Sequence, residues 1–170
     1  MHTMPIMYAC GESARYMGTY SNMLYEFQGD VNNDSIIFDF GAYQPDRSQI
    51  ENMNKREDLL KNYAMLVDIQ ENSEKMFLLI IFKKELRGMI VDKNTGEVFF
   101  SSNIDMPQRG GGIKNNYLSN CNFWPTYRDD KMLYSLLPAE KLKESLFVSD
   151  SIKKQIKEDD NPVLIRLVLK

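Results

Sequence analysis

The chain is poor in the residues of nucleophilic and metal chemistry. Its 170 residues include one histidine, His2, and two cysteines, Cys10 and Cys121. A single histidine beside the N-terminus offers no Ser-His-Asp or Cys-His arrangement, which removes the commonest hydrolase chemistry. The cysteines are far apart and lack CxxC or Cys/His spacing, so no zinc site is expected, and whether they pair stays open. Charge of one sign is missing too: 21 Lys and Arg stand against 24 Asp and Glu, for a net charge of −3. That balance gives no general attraction for nucleic acid or an anionic membrane. The longest apolar run, "MFLLIIF" at 76–82, is far short of the roughly 20 residues that span a bilayer, so no transmembrane segment is expected. Ala9-Cys10-Gly11 has the flavour of a lipobox. A basic region and about 7–15 apolar residues should precede it, and neither is present. Lipid attachment at Cys10 is therefore not expected, and residues 1–12 read as a disordered or tail segment.

What is present is an ordinary globular composition, 43% hydrophobic and 26% charged, arranged as short aromatic and β-branched runs between turn residues. Over 13–41, "ARYMGTY", "NMLYEFQ" and "SIIFDFG" read as three strands. Between them, Asp30, Asn32 and Asp34 have the spacing that opens an EF-hand loop. The loop then fails, because Ser35 and Gly41 occupy the places of the turn glycine and the bidentate Glu. A polar hairpin turn is expected there, with no metal. Residues 45–63 are the most polar and read as a loop with one short, exposed helix. Over 64–102, "AMLVDIQ", "KMFLLIIFK", "RGMIVD" and "EVFFSS" form an up-and-down antiparallel meander. Asn94-Thr95-Gly96 supplies its last hairpin with positive-φ residues. The segment 76–82 is apolar on both faces and should be central and sandwiched. Beyond Gly110-Gly111-Gly112 come strands in "NFWPTY" and "MLYSLLP", helical pieces in "PAEKLKESL" and "SDSIKKQIKE", and a last strand in "NPVLIRLVLK".

Strand packets of about four, with centres roughly 40 to 50 residues apart, are the spacing of propeller blades. The segments "NMLYEF…SIIFDFG", "MIVDKNTGEVFFSSNID", "GG…NFWPTYRDDKMLYSLLPAEKLKESL" and "EDDNPVLIRLVLK" together resemble the C-terminal half of the six-bladed β-propeller proteins abundant in anaerobic gut bacteria. The resemblance implies an all-β fold with minor helix: a partial propeller of about two and a half to three four-stranded antiparallel blades. Residues 13–44 would be a partial blade, 64–102 a complete one, and 118–170 the last, with its helical insertion. It also implies a non-enzymatic, largely uncharacterised protein that is exported or anchored at the cell surface, although no export signal is recognised here.

The most site-like stretch is "RGGGIKNNYLSNCNFWPTYRDDKMLY" at 109–134. A P-loop would need GxxxxGK[ST] between strand and helix; here another strand packet follows the glycines. They read as a tight turn between blades, with Trp124 packing in the next one. In the second reading Asp105, Arg109, Asn122 and Trp124 form a ligand site for a glycan or peptide at the mouth of the channel. No catalytic residue and no cofactor is assigned. The alternatives are a carboxylate-dependent hydrolase or lyase using Asp39, Asp105, Asp129 or Asp130, or a fragment without independent function. Uncovered end faces of a partial propeller further lead to the expectation of a homodimer.

Overall fold

The computed structural model describes residues 5–29, 31–51, 56–101, 112–114, 122–128, 132–145, 148–157 and 159–167. The chain forms two compact units, Met1–Asn103 and Ile104–Lys170. It is mostly β with minor helix, as expected, and its sheets are open and antiparallel.

The first unit begins with a sheet of β1 (Ile6–Cys10), β2 (Ser13–Met17), β3 (Met23–Gln28) and β4 (Val31–Ile37), hydrogen-bonded in that order. Residues 6–10, expected to belong to a tail, are thus a paired strand. Cys10 faces Ser13 across a two-residue turn, in which Gly11 takes φ +60°. That positive φ suits the twist of a tight hairpin, and glycine adopts it without steric cost. The second sheet repeats the plan with β5 (Met65–Glu71), β6 (Lys75–Phe82), β7 (Glu85–Asp92) and β8 (Val98–Ser101). Strand β6 is buried along its interior on both faces, from Met76 to Ile81, as its unbroken apolar run requires.

Between the sheets lie α1 (Arg47–Glu51) and α2 (Arg56–Asn62), two short helices where one exposed helix was expected. They are not free of the core: Leu59 is buried, and the carbonyl of Leu60 accepts from Lys84 N at 2.9 Å. Such short helices gain their stability from tertiary contacts rather than from propensity.

The two sheets of this unit pack face to face, and β1 lies beside β5. Met17 and Leu24 from the first sheet meet Leu66, Ile69, Leu78 and Ile80 from the second. Burying such side chains stabilises by about 1.5–3 kcal/mol each. The alternation along β1 and β2 puts Ile6, Tyr8, Arg15 and Met17 on this covered side, and Met7, Ala9, Ala14 and Tyr16 on the other.

In the second unit, β9 (Ile113–Lys114) pairs with β10 (Asn122–Phe123), and β11 (Tyr127–Arg128), β12 (Leu133–Leu137) and β13 (Val163–Leu167) form a three-stranded sheet. The expected helix after Pro138 is a 3-10 segment, Ala139–Glu144. It is closed by i→i+3 bonds from Lys141 N to Pro138 O and from Ser145 N to Leu142 O, both 3.0 Å, the tighter winding that short connectors favour. The second helical piece is α3 (Asp150–Gln155), flanked by Ser149. Among the described residues, no helix is long and apolar enough to cross a membrane.

Candidate functional site

Two of the four expected ligand residues, Asp105 and Arg109, lie outside the described residues, as do Asp129, Asp130 and Cys121. Asn122 sits half-buried in β10. Trp124, two residues on, is only 1% exposed, so its indole is a packing group and presents no open aromatic face. Asp39 caps a turn, its Oδ1 accepting from Gly41 N at 2.7 Å.

The last residue of the glycine run has a local steric role. Gly112 is buried with φ +145°, and a Cβ placed there would lie inside the contact radius of the Phe123 carbonyl and 2.9 Å from Trp124 N. The β9–β10 pair, with Ile113 facing Phe123, draws these two backbones together. A side chain would therefore push Phe123 and Trp124 away from their buried positions.

The strongest polar constellation lies elsewhere, between the two sheets of the first unit. Glu71 closes β5 with its side chain fully buried. Its Oε1 accepts from Tyr8 OH at 2.6 Å, and its Oε2 accepts from Lys93 Nζ at 2.8 Å. Arg15 Nε approaches Oε1 at 3.5 Å, an ion-pair contact without hydrogen-bond geometry. Arg15 also holds Glu26 through Nη1 at 3.1 Å, and Glu26 Oε1 accepts from Ser13 Oγ at 2.6 Å. Lys93 additionally donates to Asn72 O at 3.0 Å. Two cations and two carboxylates are interleaved, so the buried charges compensate one another.

Electrostatics follow from this packing. Burial works against the Arg15 cation, but Glu71 and then Glu26 outweigh it and hold its pKa above the ordinary guanidinium value. Burial first, and Glu71 second, push the Cys10 thiol above its usual range, against the opposing pull of Lys93 and Arg15. A protonated thiol is a weak nucleophile. Both oxygens of Glu71 are engaged, one by Tyr8 on β1 and one by Lys93 in the turn after β7. The arrangement is therefore suited to tying β1, β2, β5 and the turn after β7 together. Among the described residues no group of three or more His, Cys, Asp or Glu could hold a metal ion.

Sequence reasoning missed this cluster. Glu71 and Lys93 both stand at turns, where charged residues ordinarily face water. The available signal was the stranding of Arg15 in "SARYM", whose apolar neighbours leave its charge in need of a partner.

The folds and residues above define an all-β protein built from successive antiparallel meanders. The chain belongs to the DUF4934 family, a domain of unknown function, whose model matches residues 1–167. It is also similar to the crystal structure of a Bacteroides fragilis NCTC 9343 protein described as exported, with a TM-score of 0.64 and 18% identity. That match covers 97% of this chain and 49% of the other, so the chain spans about half the length of the solved structure. No curated protein matches.

Proposed function

We propose that the chain is a segment of a six-bladed β-propeller, about two and a half to three blades, that recognises a glycan, peptide or protein partner without catalysis. The observation that carries this reading is the face-to-face packing of two consecutive four-stranded meanders with their first strands, β1 and β5, side by side. Successive propeller blades pack in this way, first strand innermost. The length relation supports it, since the similar solved structure is about twice as long. That protein's description as exported supports a place outside the cytoplasm for this chain as well.

Recognition is assigned to the stretch 105–122, in which Asp105, Arg109 and Asn122 offer charge and hydrogen bonds, while Trp124 is a packing residue. A glycan and peptide array, followed by calorimetry on any hit, tests this. Arg109→Ala and Asn122→Ala should weaken binding and leave the unfolding midpoint unchanged. Trp124→Ala should instead cost about 3–5 kcal/mol in denaturant unfolding, as large aromatic truncations in cores do. A Trp124→Ala protein of unchanged stability that has lost its ligand would contradict this division of roles.

A further inference from the structure

The outer face of the first sheet carries no charged side chain among the described residues. Its cross-strand rows are Met7–Tyr16–Tyr25 and Ala14–Phe27, with Met23 opposite Ile37. Met7 is 77% exposed and Ile37 61% exposed. Tyr25 and Phe27 lie with ring centroids 6.3 Å apart. All three described charges within the sheet, Arg15, Glu26 and Asp34, occupy one row at the register of the opposite face. A sheet face in permanent contact with water ordinarily alternates to polar residues, and contiguous exposed apolar patches mark interfaces.

The three-stranded sheet of the second unit has a face of matching chemistry. Tyr127 pairs with Tyr134, and Leu136 with Leu164; Tyr127, Leu136 and Leu164 are more than half exposed. Among the described residues its one charge, Arg166 opposite Tyr134, can spread its guanidinium over an aromatic ring.

We infer that the outer face of β1–β4 is the docking surface for the outer face of β11–β13 of a second copy of this chain. The inference rests on the blade reading, since it extends to a partner the sheet-on-sheet packing already present at the inner face of β1–β4. From strand spacing and rise, one such contact covers on the order of 300–400 Å² per copy, too little for a stable dimer. Used reciprocally between two copies, it approaches the lower bound of a specific interface. A heterologous contact of this kind either closes after two copies or propagates, and measured mass separates the two.

The test is light scattering coupled to size exclusion at micromolar concentration, with Met7→Lys breaking one face and Leu164→Lys the other. The wild-type chain should show twice its 19.8 kDa mass. Each variant should self-associate at least about tenfold more weakly, a loss of about 1.4 kcal/mol. Should either variant fail to fold, Ile37→Lys or Leu136→Lys takes its place. A control, Phe99→Lys on the exposed strand β8, should leave the mass of the wild-type assembly unchanged. A wild-type monomer, or self-association that Phe99→Lys abolishes, overturns the proposal. Hydrogen exchange on the same samples separates its failure from that of the blade reading: a monomer with β6 amides fully protected sinks the docking alone, whereas rapid exchange in β6 sinks the stacked sheets themselves.

Discussion

On the covered side of the first sheet, Tyr8, Arg15, Glu26 and Asp34 form one row across four strands; on the uncovered side, Met7, Tyr16 and Tyr25 form another with no charge at all. The distribution is the reverse of what solvent alone would select. On the covered side Glu71 reaches in from the second sheet to pair with Arg15, which also holds Glu26, and Lys93 pairs with Glu71 in turn, while Asp34 at the end of the row is exposed. Charge is tolerated where a partner sheet supplies counter-charges, and the apolar outer face is the one proposed above as a docking surface. The comparison separates two kinds of packing, an apolar end around Leu24 and Leu78 and an ion-paired end around Glu71, within one interface.

The largest effect should come from removing the group on which the charged row depends. Glu71→Ala takes the buried carboxylate away from the buried Arg15, which keeps Glu26, and from the more exposed Lys93, and should cost about 3–5 kcal/mol in urea unfolding. At the apolar end, Leu24→Ala should cost about 2–5 kcal/mol. Met7→Ala on the uncovered face should stay within about 0.5 kcal/mol of wild type when measured on the dilute monomer. Equal losses at Leu24 and Met7 would remove the distinction between the faces. In the second unit, Gly112→Ala combines a disfavoured φ with a backbone clash and should cost roughly 2–4 kcal/mol.

The smallest effect is set by pH. Asp92 Oδ1 accepts from Asn94 N at 2.9 Å and Thr95 N at 3.1 Å, and its Oδ2 pairs with Lys75 Nζ. The Lys75 hydrogen bond, then those two amides, lower its pKa to about 2. The unfolded value is near 3.9, so the folded state binds this proton less tightly. The stabilisation is therefore full above about pH 4 and fades as pH falls toward 2. The stability gap between wild type and Asp92→Asn should shrink across that window, and a gap that is flat with pH would show that the cap carries no charge-dependent stability.

Much of the first unit was legible because its hairpins are written locally. The runs in 64–102 are separated by turn residues, and Gly96 takes φ +74° where Asn94-Thr95-Gly96 called for a positive φ. Strand β1 was not, because "IMYAC" is apolar on both faces and lacks the period-2 signal; only Gly11 between Cys10 and Ser13 marked the hairpin. The pairing of Arg15 with Glu71 spans two sheets, and no local pattern encodes it. Trp124 was legible as a core residue, whereas the clash that fixes Gly112 arises only once β9 and β10 are paired. The candidate ligand loop was legible only as composition, since Asp105 and Arg109 lie outside the described residues.

The most direct test of the stacked sheets is a double-mutant cycle between Tyr8 on β1 and Glu71 on β5, using Tyr8→Phe and Glu71→Gln and reading stability by denaturant unfolding. The 2.6 Å hydrogen bond joins the two sheets and involves a buried carboxylate. A coupling of about 1–3 kcal/mol is expected. Additivity within about 0.3 kcal/mol would place the two residues apart and contradict the packing of one sheet on the other.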